Sequence, residues 1–281
     1  MRTVAILGSG DLAATLARKL AEAERARRIV LVDEDVGRAR GKALDIAQSG
    51  PVERFDARVE GAADLAAAGG ADALVVADAA ALPDGTLPPS AALVASLRAA
   101  SAGCVLFASA YPCALVEALV AAGHPRERAL GSAPVAQAAA LRRRLAQHLE
   151  VEAREVSVTV LGVPPHALLA PQATASVGGV PLASLRPSAL RQALSALGAR
   201  TPGPAALAAA AARVLQALDG SRPSVLPVVV CLDGEYGHRG VALATPARLG
   251  GGRLQAVLEL PLEPVERIAL DNAAQRRQAR R

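Results

Sequence analysis

Short apolar runs alternate with helical patterns through the first half of this chain. The runs hold almost no polar residues, which predicts strands buried on both faces, at 3–7, 29–32, 73–77 and 104–108. Apolar residues recur at helical spacing from Leu12 to Leu20, and residues 36–49 predict a further helix, which Pro51 should end. Strands that alternate with helices are typical of a doubly wound parallel sheet, so the first half predicts an α/β fold.

The second half of the chain follows a different pattern. Three further apolar segments, separated by turn residues, predict strands at 156–160, 228–232 and 254–260. A last helix is expected from about Glu263 to the end of the chain. We therefore expect a mixed α+β region behind the parallel sheet.

A glycine motif lies between the first strand and the first helix. Gly8 and Gly10 are followed by Ala13 in the pattern G-x-G-x-x-A, and Asp33 ends the second strand 23 residues after Gly10. This order of strand, glycine turn, helix, strand and acid matches the dinucleotide-binding fingerprint, in which the acid lies about 20 residues beyond the glycines.

Each residue type in this motif has a physical role in binding a dinucleotide. Gly8 allows a sharp turn, and Gly10 lets a pyrophosphate approach bare backbone. The helix that opens at Asp11 and Leu12 offers backbone N–H groups and a positive dipole end to an anion. Asp33 can accept hydrogen bonds from both hydroxyls of a ribose, which favours NAD over its 2′-phosphorylated relative. These five residues are the predicted cofactor-binding residues, and NAD is the predicted cofactor.

Asp11 argues against tight binding. Its carboxylate lies where the pyrophosphate charge should be, and Asp is also a favoured helix N-cap residue. The alternative hypothesis is therefore a structural cap in a fold that has lost its ligand, so NAD binding is expected to be weak if it is retained.

Charge and composition narrow the class of protein. The net charge is +5, but four arginines of the C-terminal tip supply much of it and are expected to form a solvated helix end: Arg276, Arg277, Arg280 and Arg281. The chain has no Trp, two Tyr and two Phe, which disfavours a base-stacking nucleic-acid surface.

The cysteines and the N-terminus bear on location. Cys104, Cys113 and Cys231 have no metal-ligand spacing and suggest a reducing compartment. The first strand begins at residue 3, which leaves no room for a signal peptide, and charged residues, Gly or Pro interrupt the apolar stretches before they reach membrane-spanning length. A cytoplasmic protein without membrane segments is expected.

Several longer motifs carry a family resemblance. The segments 41–46 (GKALDI), 176–182 (SVGGVPL), 232–237 (LDGEYG) and 246–250 (PARLG) occur in order along nearly the whole chain. In these motifs the chain resembles the bacterial malate dehydrogenase branch of the lactate/malate dehydrogenase family. The resemblance implies an NAD-binding Rossmann domain over residues 1–131 and an α+β substrate domain over residues 132–281. It also implies a dimer or tetramer, either of this chain alone or with an active paralogue.

The same resemblance implies where the reacting groups should be, and this chain departs from the family there. Asp84 and Ser90 stand where the family's mobile loop has two arginines, and Tyr111 replaces the asparagine of the Asn-Pro turn. Gln137 replaces the aspartate that orients the general base, and Ala140 replaces an arginine that binds the substrate carboxylate.

The general base is the sixth departure. Pro164 stands where the family has its active-site histidine, within the segment 161–166 (LGVPPH). Proton abstraction and carboxylate binding both need such groups. No catalytic residue for 2-hydroxy acid oxidation is therefore predicted.

Three functional hypotheses follow. The first is a family member that still binds NAD but is catalytically degenerate, and acts by binding or as a partner subunit. The second is an active NAD-dependent oxidoreductase on a less acidic substrate, with His166 or Tyr111 in a rearranged site. The third is a structural protein without cofactor. A Cys113 nucleophile is disfavoured because no neighbouring group is expected to activate the thiol, and His124, His148 and His238 are expected to be structural or solvated.

Overall fold

The computed structural model describes residues 1–77, 90–100, 103–185, 188–197 and 201–279. Fourteen strands are found within these ranges: β1 (Thr3–Leu7), β2 (Arg28–Val32), β3 (Arg58–Ala62), β4 (Ala73–Val76), β5 (Cys104–Phe107), β6 (Ala129–Gly131), β7 (Val156–Ser157), β8 (Leu161–Val163), β9 (Ala167–Leu169), β10 (Ser176–Val177), β11 (Val180–Pro181), β12 (Ser224–Asp233), β13 (Arg239–Gly250) and β14 (Arg253–Val257). The helices of the described residues are α1 (Asp11–Glu22), α2 (Val36–Glu53), α3 (Ala91–Ala100), α4 (Cys113–Ala121), α5 (Ala133–Leu149), α6 (Leu182–Leu185), α7 (Ala189–Leu197), α8 (Pro204–Asp219) and α9 (Pro264–Gln278).

The first six strands form a parallel sheet in the order β3-β2-β1-β4-β5-β6. This is the strand order of a Rossmann sheet, with its topological switch point between β1 and β4. Alternate residues face opposite sides: Val4 and Ile6 belong to the core cluster that includes residues of α1, α2, α5 and α8, whereas Ala5 belongs to the cluster that includes α3 and α4. Because both faces are covered, the strands read as continuous apolar runs, and the predicted α/β fold is confirmed.

The sheet continues into the second half of the chain. β6 pairs with β12 antiparallel, and β13, β8 and β9 extend the sheet; β14 pairs with β13 on the same edge as β8, further along the strand. The predicted domain boundary, between residues 131 and 132, therefore falls within one sheet that both halves of the chain share. The boundary stays a prediction.

Two of the predicted strands of this half are shorter than expected. Of residues 156–160, only Val156 and Ser157 form a strand, in a small sheet of order β11-β10-β7, because the chain then turns back to pair β8 with β13. Of residues 254–260, β14 ends at Val257. The segment after it wraps around Tyr236, whose hydroxyl donates to the Leu258 carbonyl at 3.2 Å and accepts from the Leu260 N–H at 2.8 Å.

The predicted end of the second helix is wrong. α2 runs through Pro51 to Glu53, and Arg54 ends it in a left-handed conformation while Phe55 N–H donates to the Gly50 carbonyl at 3.1 Å. A proline disfavours helical conformation in the residue before it by clashing with that residue's Cβ. Gly50 has no Cβ, so the helix tolerates the proline in its last turns.

The C-terminal helix is confirmed, but its basic end is not simply solvated. Glu263 and Glu266 form a capping box at the start of α9. Near its end, Arg276 is exposed as expected, whereas the Arg277 side chain is only 17% exposed and pairs with Glu117. Arg280 and Arg281 lie outside the described residues.

Candidate functional site

The glycine turn between β1 and α1 has the geometry that the motif predicted. Gly8 has a φ of 111°, which side-chain-bearing residues rarely adopt, and its N–H donates to the Val32 carbonyl at 2.7 Å. Gly10 is the N-cap residue of α1 in extended conformation and has no side chain with which to cap the helix. The turn therefore brings the start of α1 to the carboxyl ends of β1 and β2, where open α/β sheets bind ligands.

Asp11 does not cap the helix, which corrects the alternative drawn from the sequence. It is the first residue of α1, beyond the N-cap position, and its side chain is exposed. An N-cap side chain must lie one residue earlier to reach the N–H groups of the first turn. Leu12, the next predicted cofactor-binding residue, is buried in the main core, so only its backbone remains as a group for binding an anion.

Asp33 lies at the end of β2, as expected, but its carboxylate is already engaged. Oδ2 accepts from the Ser9 hydroxyl at 2.7 Å and from Arg38 Nη2 at 2.8 Å. Oδ1 accepts from Arg38 Nη2 at 3.0 Å and from the Asp35 N–H at 3.0 Å. Arg38 Nε also donates to the Ser9 hydroxyl at 2.9 Å, which closes a Ser9–Asp33–Arg38 cluster.

This cluster keeps Asp33 ionised. Partial burial acts to raise the pKa of Asp33, but the hydrogen bonds from Ser9, Arg38 and Asp35 outweigh it and hold the pKa below its ordinary value. Sequence reasoning missed Ser9 and Arg38. Ser9 is the middle residue of G-x-G, where any residue is allowed, and Arg38 lies in the first turn of the following helix, where an arginine gives no signal by itself.

The turn after β5 and the hairpin of β8 and β9 meet at the same edge of the sheet. Tyr111 is partly buried against the main core, and its Oη lies 3.5 Å from His166 Nε2, at the outer limit of a hydrogen bond. His166 is exposed at the hairpin turn, while Pro164 and Pro165 before it are buried. The structure thus brings together the two residues that the sequence offered as a rearranged site.

The positions assigned to substrate binding hold no cation among the described residues. Gln137 is 1% exposed on α5, and its Oε1 has no hydrogen-bond partner. Ala140, one turn further, is exposed. The Ser90 hydroxyl accepts from the Leu93 N–H at 3.1 Å and so caps the start of α3. Asp84 lies outside the described residues.

The other candidate side chains have structural surroundings. Burial raises the pKa of Cys113 to about 12, so its thiol is not a nucleophile at neutral pH. Burial lowers the pKa of His124, His148 is exposed, and His238 Nε2 lies 2.8 Å from Asp271 Oδ1. The described residues contain no group of three or more His, Cys, Asp and Glu placed to hold a metal ion, and none of their helices has the length and apolar composition of a membrane span.

Comparison with known proteins assigns the chain to a family, although no family model matches it. The malate dehydrogenase of Chlorobium phaeobacteroides is 30% identical to it over 296 residues, which cover 96% of this chain and 94% of the relative. The chain belongs to the malate dehydrogenase family. The malate dehydrogenase of Chloroherpeton thalassium is 29% identical over 293 residues, with 96% and 94% covered. The resemblance seen in the sequence motifs is therefore confirmed.

Solved structures of malate and lactate dehydrogenases share the fold. The malate dehydrogenase of Salinibacter ruber has a TM-score of 0.86 and 25% identity, with 99% of this chain and 95% of that chain covered. The lactate dehydrogenase of Cryptosporidium parvum, solved with lactic acid and NAD, has a TM-score of 0.87 and 24% identity, with 99% and 96% covered. The predicted Rossmann sheet followed by the α+β region of malate and lactate dehydrogenases is thus confirmed.

Proposed function

We propose that this member of the malate dehydrogenase family binds NAD but does not oxidise malate or other 2-hydroxy acids, and that it acts by binding. One observation carries the proposal: a buried proline, Pro164, follows β8 at the position where the resemblance expects the general base. Proline has no group that can take a proton. Gln137 has a neutral amide, so it does not stabilise a protonated base as the carboxylate of an aspartate does.

The expected size of the effect supports this conclusion. A positioned general base contributes about 10²–10⁴ in rate. An arginine that binds a carboxylate through two hydrogen bonds supplies further binding energy and orientation. Ala140 offers neither, and Ser90 is engaged as the helix cap of α3. Residual activity on malate should therefore be at or near the background rate.

The residues present fit a dinucleotide in part. Gly8 and Gly10 leave the start of α1 open to a pyrophosphate, and Asp33 lies where an adenosine ribose is held. When bound, NAD supplies a hydride acceptor. The engaged carboxylate of Asp33 and the exposed carboxylate of Asp11 both support weak binding.

Two measurements on the purified protein test the proposal, with an intact bacterial malate dehydrogenase run beside it as a control. Calorimetric titration with NADH should give a binding heat with a weak Kd. With oxaloacetate or pyruvate, the NADH absorbance should not fall. With NAD and malate or lactate, no NADH absorbance should appear. Turnover of malate at a rate approaching that of the control enzyme would refute the proposal. No binding heat at millimolar NADH would instead support the hypothesis of a structural protein without cofactor.

The contact between Tyr111 and His166 favours a second candidate function. An imidazole beside a phenol can hold a proton and deliver it to a carbonyl oxygen. The pair would therefore suit NADH-dependent reduction of an uncharged ketone or aldehyde. Wild type and His166→Ala should then differ by about 10²-fold or more on a panel of neutral carbonyl compounds. His148→Ala, which changes an exposed histidine of α5, is the control. Absence of turnover on the whole panel would leave the binding role.

We also propose that the protein assembles, either with itself or with an active paralogue. Two large apolar side chains are exposed on α2, Leu44 at 57% and Val52 at 81%, and they are the contact residues proposed there. Light scattering after size-exclusion chromatography should give a mass above the 28.4 kDa of one chain. A monomer that also fails to co-purify with an intact paralogue would refute this part of the proposal.

A further inference from the structure

The hydrogen bonds that Asp33 accepts leave no acceptor position on its carboxylate for a ribose hydroxyl. An ionised carboxylate has about four acceptor positions, two on each oxygen. In this structure all four are used: Oδ1 accepts from the Asp35 N–H and Arg38 Nη2, and Oδ2 accepts from the Ser9 hydroxyl and Arg38 Nη2. Ribose hydroxyls can therefore reach this carboxylate only after another donor has left.

Arg38 is the donor that can leave. Ser9 is fully buried, and the N–H of Asp35 belongs to the backbone of the turn, so neither can move aside without a change in the turn. The Arg38 side chain, by contrast, is 55% exposed and can rotate into solvent. Its departure frees one acceptor position on each oxygen, which equals the number of hydroxyls on an adenosine ribose.

The local structure holds Arg38 over the carboxylate. Asp35 is the N-cap residue of α2, and its Oδ1 accepts from the Arg38 N–H at 3.0 Å. This cap fixes the first turn of the helix and directs the arginine towards Asp33. The guanidinium then bridges Asp33 and Ser9 through Nη2 and Nε.

We infer that Arg38 is an internal competitor for the adenosine ribose, so that NAD binds only when Arg38 has released Asp33. The inference rests on the proposed NAD-binding function and identifies Arg38 as the residue that weakens NAD binding. A dinucleotide with a 2′-phosphate on its ribose should not bind better than NAD. Once Arg38 had left, that phosphate would face the negative charge of Asp33 without a cation between them.

The first test compares nucleotide affinity in matched variants. Arg38→Ala should lower the Kd for NADH about tenfold, since one charge-assisted contact no longer has to be broken. Arg40→Ala removes the same charge from an exposed position two residues further along α2 and should not lower the Kd. In an Asp33→Asn background, Arg38→Ala should have no further effect, and NADPH should not show the gain seen with NADH.

A second test needs no nucleotide. Carbon-detected NMR titration of the Asp33 carboxylate should give a pKa below the ordinary value in wild type and a higher pKa in Arg38→Ala. An unchanged Asp33 pKa would show that the contact is absent in solution and would overturn the inference, whatever the nucleotide affinity.

The remaining outcomes separate the two proposals. If wild type binds NADH and Arg38→Ala binds it equally or more weakly, the inference is wrong and the proposed function stands. If wild type prefers NADPH and Arg38→Ala loses that preference, Arg38 is a phosphate ligand, which also overturns the inference. If neither protein binds NADH while both remain folded by circular dichroism, the proposed function fails, and the competitor role fails with it.

Discussion

At the scale of single residues, the paired carboxylate of Glu235 shows how this chain uses charge for structure. Arg126 Nη2 donates to Glu235 Oε1 at 2.7 Å, and Nη1 donates to Oε2 at 3.2 Å. Oε2 also accepts from the Asp233 N–H at 2.7 Å, while Arg126 donates to the Cys231 carbonyl at 3.2 Å. The pair thus ties the segment before β6 to the turn between β12 and β13. Glu235 lies within the LDGEYG motif and has a structural role.

This pair predicts a loss of stability in acid. The hydrogen bond from Arg126 lowers the pKa of Glu235 from 4.5 to about 2 in the folded protein. A lowered folded-state pKa means that the stabilisation is complete above pH 4.5 and is lost as the pH falls towards 2. Glu235→Gln should therefore reduce the free energy of unfolding by about 2 kcal/mol at neutral pH, after allowance for solvent screening. The difference from wild type in urea denaturation should shrink as the pH falls.

Glu127→Gln is the matched control for this prediction. Glu127 approaches the same arginine, at 3.5 Å from Nε, but its side chain is 46% exposed. Its replacement should cost less than about 1 kcal/mol at any pH. A difference between wild type and Glu235→Gln that does not change between neutral pH and pH about 2.5 would show that the pair is not the cause.

The same scale marks the limit of what the sequence could predict about the site. The positions of Gly8, Gly10 and Asp33 in the turn and at the end of β2 could be predicted because they depend on spacing along a strand, a turn and a helix. The engagement of Asp33 by Arg38 depends on a side-chain rotamer and on the N-cap that directs it, and neither leaves a pattern in the sequence. The contact between Tyr111 and His166 joins residues 55 positions apart and required the three-dimensional structure.

At the scale of elements, the four strands predicted in the first half, β1, β2, β4 and β5, were placed to within about one residue, whereas the edge strand β3 was missed. Apart from Thr3 and Arg28 at the starts of β1 and β2, these four strands are apolar, because helices cover both sides of the sheet. β3 is an edge strand with the sequence RVEGA and has no fully buried residue, so it gave no apolar run. The extension of α2 through Pro51 was missed for a different reason, since it depends on Gly50 before the proline.

The packing of α2 on β3 gives a prediction at this scale. A Cβ on Gly61 of β3 would overlap the backbone of Ala39 and Arg40 in α2, so the helix and the strand are closer than any side chain allows. Gly61→Ala should therefore reduce the free energy of unfolding by about 1–3 kcal/mol, as overpacking does elsewhere. Gly41→Ala, in the interior of α2 with nothing within 4 Å of the new Cβ, should stabilise the protein by about 0.5–1 kcal/mol.

Urea denaturation of both variants measures these changes. The two substitutions add the same methyl group, so opposite signs of the change in the free energy of unfolding would place the close approach between helix and strand at β3. A loss of stability in both variants, or in neither, would mean that α2 and β3 are not packed as described.

At the scale of the whole molecule, the two halves are joined by their sheet and by a buried ion pair. Glu117 on α4 is 6% exposed at its side chain and accepts from Arg277 Nη2 on α9 at 2.9 Å. Glu117 Oε1 also accepts from the Ala242 N–H of β13 at 2.8 Å. The pair therefore connects a helix of the first half, the long hairpin strand and the last helix of the chain. Sequence patterns did not reveal it, because Arg277 lies in a basic tip that charge alone marks as solvated.

Breaking this pair should cost far more than removing a surface charge. Arg277→Met keeps much of the apolar stem but removes the cation that pairs with the buried Glu117 carboxylate, and removing one partner of a buried ion pair costs about 3–5 kcal/mol. The free energy of unfolding in urea should fall by that order. Arg276→Met, at the exposed neighbouring position, should stay within about 0.5 kcal/mol of wild type. Glu117→Gln in the Arg277→Met background should recover part of the loss, because glutamine keeps the acceptor for Ala242 without the charge. Equal losses in the two arginine variants would contradict the link between the halves.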